Sequence, residues 1–365
     1  MIDEVAEVRA AARSLAEEWL ATGGRGRADN WARGLDPAFS KSLAAHGLIG
    51  LTWPREYGGR GLGNVARLAV TEELLRVGAP TGAHWVGDRQ IGPSLIRHGT
   101  ERQRAEFLPA IIAGEVVFAL GMSEPGAGSD LAAVTTRATP VAGGFRVSGR
   151  KVWTSNAHRA THLYLLARTD TGERKHEGLS EFLIDMDSPG VQVSPIRDLA
   201  GEHHFNEVLL EGVVVPEDRL LGVRGRGWQQ VVGQLAFERG GPERVLSTYP
   251  LLAELLSAGL SLSPAEQDRL GELIARLAAL RHLAGGVAKA LDGGEAPTRE
   301  AAGLKHLGTA FETDLAEFVR DAYAATGRAP SPLVWDALLS SPGFGIRGGA
   351  AEVLLSLIAR QEARA

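Results

Sequence analysis

The sequence predicts an α+β protein with a helical N-terminal domain, a central antiparallel β domain and a C-terminal helical bundle. Apolar residues at spacings of three and four, from Val5 to Trp19, predict an amphipathic first helix. Short apolar runs separated by turn residues then fill residues 116–225, and helical periodicity returns from residue 226. The predicted domains are therefore 1–115, 116–225 and 226–365.

The N-terminal domain is predicted to be a series of helices joined by loops. Helical character continues at residues 73–76 and again at residues 103–113. Pro54 and the glycines within residues 57–61 interrupt this pattern. Because proline and glycine punctuate regular structure, these residues predict a loop between two helices.

The central domain begins with the short apolar run at residues 116–120. After a turn at Gly143 and Gly144, Phe145 and Val147 alternate with polar neighbours, as expected of a half-buried strand. Because no helical segment separates the strands, they predict an antiparallel barrel or sandwich. The remaining predicted strands are residues 163–167, 182–184, 191–193 and 208–215.

The C-terminal domain is predicted to be a bundle of helices. Ser263-Pro264 and Ser341-Pro342-Gly343 interrupt its apolar periodicity and mark loops. The predicted helices are residues 228–238, 244–260, 265–291, 298–323 and 350–363.

Composition narrows the class of protein. A chain of 365 residues, 44% of them hydrophobic, can bury a large core, and a net charge of −5 without a basic tract argues against nucleic-acid binding. The absence of cysteine excludes a thiolate nucleophile or a zinc–cysteine site and fits a reducing cytoplasm. The acidic N-terminus is unlike a signal peptide, and no apolar run approaches the ~18 residues of a membrane span. We therefore expect a cytoplasmic protein that does not cross a membrane.

Two segments carry the functional signal: MSEPGAGSD at residues 122–130 and KVWTSNA at residues 151–157. The first is rich in turn formers, and Gly126 and Gly128 allow positive φ or the close approach of a ligand. An ordinary surface turn is the commoner meaning of such a composition. The fixed order of the residues, with a tryptophan following in the second segment, instead indicates a site that holds a flat, electron-poor ring through amides, hydroxyls and one aromatic face.

With these motifs the chain resembles the acyl-CoA dehydrogenases, flavoproteins with a helical domain, a β domain and a C-terminal four-helix bundle. The resemblance covers nearly the whole length. It also includes GLIGLTWP at 47–54, EYGG at 56–59, NEV at 206–208 and VP at 215–216.

The resemblance implies FAD as the cofactor and an acyl-CoA thioester as the substrate. Ser123 would hydrogen-bond the pyrimidine side of the flavin, Trp153 would pack against the ring, and Ser155 would contact it near N5. Without the flanking motifs, Trp153 would be read as a core aromatic of a β domain. Ser129 would face the thioester arm of the substrate. The implied cofactor-binding residues are Leu120, Met122, Ser123, Gly128, Trp153 and Ser155.

The dehydrogenation needs a base to remove the proton α to the thioester. Many family members carry a glutamate in a C-terminal loop, but here that position is Gly348. Isovaleryl and long-chain relatives carry the base on the first helix of the bundle, where this chain has Glu238 followed by Arg239. Glu238 is therefore the predicted base and Arg239 a predicted substrate-binding or supporting residue. Glu352 is a weaker candidate, and for an isolated Glu-Arg pair a solvated helix face is the default.

Two departures from the family pattern concern its oligomers. Homo-oligomeric relatives use an R-x-x-F-G segment to grip the flavin diphosphate of the neighbouring subunit, and residues 252–269 contain no such segment. The family's Gly-Gly-x-Gly segment is replaced by AATG at 324–327. This pattern resembles the heteromeric, FadE-type subunits of actinobacteria that act on steroid side-chain CoA esters. The implied partners are a related subunit in a heterotetramer (or a homo-oligomer) and an electron-transfer flavoprotein.

Two other patterns are set aside. GLGNVA at residues 61–66 matches a dinucleotide-binding glycine pattern but follows a loop and not a strand. His203 and His204 lack the spaced partners of a metal site.

Two alternatives remain open. The chain could use flavin as an oxidase or monooxygenase, or act on a carrier-protein thioester. It could also be a non-catalytic subunit of a heteromer.

Overall fold

The structure, a computed structural model, describes residues 2–363 apart from the side chains of Ile2 and of residues 235–239. The chain forms two compact units. The first comprises Met1–Gly34, Leu62–Thr81 and Ala236–Ala365, and the second comprises Leu35–Gly61 and Gly82–Leu235. The three domain bounds drawn from the sequence stay a prediction.

Helices dominate both ends of the described chain. In chain order they are α1 (Ile2–Ala21), α2 (Asn30–Arg33), α3 (Pro37–Ala45), α4 (Asn64–Arg76), α5 (Gly82–Val86), α6 (Gly92–His98), α7 (Glu101–Ile112), α8 (Gly227–Arg239), α9 (Tyr249–Ser257), α10 (Pro264–Asp292), α11 (Thr298–Ala325), α12 (Pro332–Phe344) and α13 (Ala351–Glu362).

Several helices begin where the sequence supplies a cap. The Asp36 carboxylate accepts hydrogen bonds from two amides in the first turn of α3, at 3.0 and 3.1 Å. Thr100 and Gln103 form a capping box at the start of α7, and Ser263 and Glu266 form one at the start of α10. Such caps satisfy backbone N–H groups that have no partner within the helix.

A single sheet forms the centre of the second unit, with strand order β6-β7-β3-β2-β4-β5-β8 and β1 paired with β4. Neighbouring strands are antiparallel, except that β1 pairs parallel with β4 and β2 meets β4 in one parallel pair. The predicted helix–sheet–helix order is confirmed, with these two parallel pairings of β4 as local exceptions to the antiparallel sheet. The strands are β1 (Phe118–Gly121), β2 (Arg137–Val141), β3 (Gly144–Ser155), β4 (His162–Arg168), β5 (Leu179–Asp185), β6 (Val191–Ile196), β7 (Phe205–Pro216) and β8 (Leu220–Leu221).

Two bulges interrupt the long pairing of β3 with β7. Val147 pairs with Val213 but Gly149 pairs with Leu210, so β7 carries one extra residue there. Further along, residue 151 pairs with residue 208 but residue 154 pairs with residue 206, so β3 carries the extra residue. Bulges bend a strand and redirect its side chains.

Both faces of the central strand β4 are buried. Leu163, Leu165 and Ala167 pack into the core on one face of the sheet. Tyr164, on the opposite face, packs into a cluster with Phe107 and other residues of the helices in the same unit. Because helices pack on one face of β4 and the core of the sheet lies on the other, the strand is a continuous apolar run, as expected of a fully buried strand.

The structure corrects two details of the predicted bundle. The predicted helix at 244–260 begins at Tyr249, because a short 3₁₀ turn at Pro242–Arg244 ends first and Pro250 occupies the first turn of α9. Helix α12 forms although the sequence predicted a loop near Pro342, which lies in its last turns. Proline there removes only one late hydrogen bond.

Within the part of the chain that the structure describes, no helix combines the length and the apolar character needed to cross a membrane. The same residues contain no group of three or more acidic or histidine side chains that could hold a metal ion.

Candidate active site

The loop after β1 is closed by its own backbone and by β3. The amide of Glu124 donates to the carbonyl of Ala127 at 2.9 Å, and the amide of Ala127 donates back at 3.0 Å. The carbonyl of Ser123 accepts from the amide of Val152 at 2.9 Å. A Cβ added at Gly126 or Gly128 would meet no atom within 4 Å, so the loop leaves open space around its glycines. The two motifs of the sequence thus lie side by side.

A buried ion pair lies beneath this loop. Lys151 Nζ lies 2.9 Å from Glu124 Oε1 and donates to the Met122 carbonyl at 3.1 Å. The Glu124 carboxylate also accepts from the amide and the hydroxyl of Thr135, each at 2.7 Å, and from the amide of Thr136 at 2.9 Å. Lys151 has no exposed surface and Glu124 is 6% exposed. The pair therefore fixes the backbone of the loop from the interior.

Both members of the pair are ionised at neutral pH. Burial alone would raise the pKa of Glu124, but the charge of Lys151 and the hydrogen bonds from Thr136 and Thr135 outweigh burial and lower it to about 2. Burial lowers the pKa of the Lys151 ammonium to about 8, and the Glu124 carboxylate partly offsets this effect.

Trp153 lies within the β3 bulge and is turned outward. Its φ is +59°, a left-handed conformation that is rare for a bulky residue and indicates stored strain. Its side chain is 59% exposed and contacts Phe205 edge to face, with the ring centroids 5.7 Å apart. An exposed, rigidly placed indole offers a flat surface to an aromatic ligand.

Ser155 is held by the residues on either side of it. Asn156 also has a left-handed φ, +56°, and its amide donates to the carbonyl of His204 at 2.6 Å. The Asn206 side chain donates to the carbonyls of Thr154 and His204 at 2.9 and 3.1 Å. Trp153 and Asn156 are two of the three non-glycine residues with positive φ in the described chain. Such strain is concentrated at functional sites.

The hydroxyls of Ser123 and Ser155 make no hydrogen bond to other residues within the described chain. Both residues are partly exposed. Donors without a protein partner, beside an exposed aromatic face, fit a flat ring with polar edges such as a flavin.

The other predicted residues of the second unit lie close by in the chain. Leu120 and Met122 are partly buried and pack against the helix-side core. Ser129 is exposed and precedes Asp130, which pairs with Lys175 at 2.7 Å. In contrast, a cleft of about 840 Å³ lined by α3, the turn at Tyr57 and α7 contains none of the predicted residues.

Glu238 and Arg239 fall in α8, and their side chains lie outside the described residues. Glu352 lies exposed in the first turn of α13. Gly348 has a φ of +67°, and a Cβ there would lie 3.0 Å from the guanidinium carbon of Arg244. The family's usual acid position is therefore shaped here for glycine.

Sequence reasoning missed the Lys151–Glu124 pair. A signal was present, because Lys151 lies an even number of residues after the inward-facing Phe145 and Val147. A lysine at an inward position of a strand needs a buried partner. The rejected histidine motif is accounted for locally, since His203 bonds Asn206 at 2.7 Å and stacks on His158.

Sequence models of three consecutive domains match the chain. They are the acyl-CoA dehydrogenase N-terminal domain at residues 3–115, the middle domain at 119–213 and the C-terminal domain at 256–363. The acyl-CoA dehydrogenase IpdE1 of Mycolicibacterium smegmatis is 39% identical over 263 residues, which cover 68% of this chain and 67% of that protein.

The acyl-CoA dehydrogenase FadE34 of Mycobacterium tuberculosis is 35% identical over 328 residues, covering 88% of this chain. The match spans only 45% of the length of that relative.

Two solved structures superpose on nearly the whole chain. The structure described as the Tcur3481-Tcur3483 steroid ACAD superposes with a TM-score of 0.90 at 29% identity, covering 99% of this chain and 97% of that one. The ChsE4-ChsE5 complex from Mycobacterium tuberculosis gives a TM-score of 0.82 at 25% identity, covering 98% and 95%. The sequence models, the identity to curated dehydrogenases and the shared fold together show that this chain belongs to the acyl-CoA dehydrogenase family of flavin-dependent oxidoreductases.

Proposed function

We propose that the chain is the flavin-binding subunit of an FAD-dependent acyl-CoA dehydrogenase that forms an α,β double bond in an acyl-CoA thioester. The observation that carries the proposal is the exposed, strained Trp153 beside the unpaired hydroxyls of Ser123 and Ser155. Bound FAD would supply the acceptor for the hydride that leaves the β carbon. The chain's own residues would orient the ring and remove the α proton.

The proposed FAD-binding residues contact different parts of the flavin ring. Trp153 would cover the ring, Ser155 would donate toward N5, and Ser123 would donate to the pyrimidine side. Donors aimed at a ring that gains negative charge stabilise that charge. Leu120, Met122 and Gly128 would line the same site, and Ser129 would face the thioester arm of the substrate.

Glu238 is the proposed base, with Arg239 supporting the substrate or the helix. The shape of position 348 supports this assignment, because the left-handed backbone and the adjacent Arg244 guanidinium fit glycine at the family's commoner acid position. In the reaction, the α C–H bond would break and its proton would pass to the Glu238 carboxylate. The electron pair left behind would form the double bond as hydride leaves the β carbon.

We further propose a related chain as partner and a branched or steroid side-chain CoA ester as substrate. The absent R-x-x-F-G segment and the altered Gly-Gly-x-Gly segment support the partner. The similarity to a structure described as a steroid ACAD and to the ChsE4-ChsE5 complex supports both parts. Electrons would pass on to an electron-transfer flavoprotein. The lack of cysteine fits a cytoplasmic site of action.

The test is to purify the chain alone and after co-expression with the product of the neighbouring reading frame. We expect FAD in stoichiometric amount only in the complex, and anaerobic bleaching of that flavin by one member of a panel of acyl-CoA thioesters. Ser123→Ala should lower the FAD content and Glu238→Gln should prevent bleaching. A chain that is fully loaded and active by itself would contradict the partner proposal.

Gly348 also favours a second candidate function, because it removes the commonest dehydrogenase base. The chain could act on a carrier-bound thioester or pass electrons to oxygen as an oxidase or monooxygenase. Fast flavin reduction in Glu238→Gln, together with hydrogen peroxide formation in air, would support this candidate.

A further inference from the structure

A buried polar network links the sheet of the second unit to helix α8. Glu181 on β5 has no exposed surface. Its carboxylate accepts from Gln230 Nε2 at 2.6 Å and from Gln234 Nε2 at 3.2 Å. The Gln234 amide also donates to the Tyr164 hydroxyl at 2.5 Å, and that hydroxyl bonds Glu181 in turn. Two adjacent strands are therefore bonded to two residues of one helix.

The carboxyl of Glu181 faces no cation among the described residues around it. The groups facing it are the phenol of Tyr164 on β4 and the two amides of α8, and the Ser94 hydroxyl of α6 bonds the same phenol. Burial raises the pKa of Glu181 to about 7, although the hydrogen bonds from Tyr164, Gln230 and Gln234 lower it in part. Burial and the charge of Glu181 also raise the pKa of Tyr164 well above its usual value, so the phenol stays neutral.

A network of this kind is a poor way to gain stability. Replacing buried ionisable groups with well-packed apolar residues is commonly neutral or stabilising. The network instead fixes orientation, because a hydrogen bond is strong only in a narrow range of angles and so restricts the rotation of the side chain that makes it. Here the fixed side chains are on the helix, one turn apart.

The spacing along α8 connects this network to the proposed chemistry. Gln230 and Gln234 are four residues apart and so share one face of the helix. Position 238 is the next in the same series and lies about 6 Å further along the helix axis than position 234. A change in the rotation of α8 at the two glutamines would rotate position 238 by the same angle.

We propose that Glu181 is a positioning residue that sets the rotation of α8, and through it the placement of the base at position 238. This inference rests on the proposed function of Glu238. Glu181 does not touch the substrate in this proposal, and it acts through Gln230 and Gln234.

The test uses the FAD-loaded complex of this chain with its co-expressed partner. The probe is whichever of octanoyl-CoA, isovaleryl-CoA and a steroid side-chain CoA thioester bleaches the wild-type flavin fastest. Glu181→Gln and Gln234→Leu should lower the limiting rate of flavin reduction about 10- to 100-fold, the scale of a misplaced catalytic group. The FAD content and the half-saturating substrate concentration should change little. The pH profile of the rate should lose an inflection near pH 7 in Glu181→Gln.

Thr169→Val is the matched control. The Thr169 hydroxyl is buried just after β4, where it bonds Ser180 Oγ at 2.8 Å and the Gly178 carbonyl at 3.2 Å, and it has no hydrogen bond to α8 among the described residues. Its loss should reduce stability without a comparable loss of rate.

The outcomes separate the two proposals. A rate loss in Glu181→Gln and Gln234→Leu well beyond that of Thr169→Val, with Glu238→Gln inactive, supports the inference. Equal rates in the three variants, with Glu238→Gln inactive, overturn the inference and leave Glu238 as the base. Normal flavin reduction in Glu238→Gln overturns the base assignment and the inference together.

Discussion

Replacing Lys151 by methionine tests whether the buried ion pair holds the flavin-facing loop. Methionine has nearly the same length, so the change removes the charge and the donors with little change in packing. The Glu124 carboxylate loses its cation at 2.9 Å, and the Met122 carbonyl loses its donor at 3.1 Å. The carboxylate keeps the two bonds from Thr135 and the one from Thr136.

The expected loss of stability follows from these contacts. Removing one partner of a buried pair costs about 3–5 kcal/mol, because the other charge is left in a medium of low dielectric constant. Because three donors to Glu124 remain, the expected loss in the free energy of unfolding is near the lower end of this range, about 3 kcal/mol. This loss corresponds to roughly 100-fold in the folding equilibrium. The affinity for FAD should fall as well, since the freed carbonyl belongs to a residue proposed to line the site.

Urea unfolding at pH 7 and quenching of FAD fluorescence by the co-expressed complex measure the two effects. The double variant Lys151→Met with Glu124→Gln is the control, because it removes both charges and its amide oxygen can still accept from the Thr135 amide and hydroxyl, which bond the same oxygen of Glu124. Only the Thr136 amide then loses its acceptor. The double variant should recover at least about half of the lost stability. A single variant that loses less than about 1 kcal/mol, or a double variant that recovers nothing, would refute the role assigned to the pair.

Three further predictions concern strain and titration. Trp153→Gly should raise the free energy of unfolding by about 1 kcal/mol, because glycine accepts a φ of +59°, and should weaken FAD binding in the same fluorescence assay. Burial raises the pKa of Glu181 to about 7. The contribution of the protonated Glu181 carboxyl to folding stability is therefore fully present below pH 4.5 and is lost as the pH rises through 7. The free energy of unfolding of Glu181→Gln, measured in urea, should therefore rise relative to that of wild type by roughly 2–3 kcal/mol from pH 5 to pH 8. A difference that stays constant with pH would contradict this. Burial lowers the pKa of His84 to about 4, so its contribution is present above pH 6.5 and is lost as the pH falls toward 4. His84→Gln should flatten the stability profile between pH 4 and 6.5, and an unchanged slope would show that another group causes the acid sensitivity.

The long helices and the strands were predictable because their signals are local. The helix predicted at 265–291 spans 264–292 in the structure, where Ser263 and Pro264 provide a cap and a first residue. The start of α9 was wrong by five residues, because apolar periodicity continues through a segment whose backbone turns before Pro250. Periodicity reports which face is buried and carries little information about where hydrogen bonding begins.

The candidate site was predictable only where its residues are close in sequence. The motifs identified the loop and Trp153 by resemblance, but the ion pair joins position 124, in the loop after β1, to position 151 on β3. The network of Glu181 joins three elements separated by up to 70 residues. No spacing rule relates such positions, because their proximity is a property of the sheet order and not of the local chain.

The two bulges in the β3–β7 pair have a consequence for insertions and deletions. The extra residue in β7 near Gly212 offsets the strands by one position, and the extra residue at Trp153 cancels that offset, so both ends of the ribbon return to a common frame. Deleting one residue at either bulge would invert which side chains face inward over one end of the ribbon. Deleting the extra residue from each strand would preserve the pairing at both ends and keep Lys151 inward, because Lys151 precedes the β3 bulge and lies in phase with Phe145 and Val147. Length changes in this ribbon are therefore tolerable for folding only in pairs, and a paired change would remove the bulge that turns Trp153 outward.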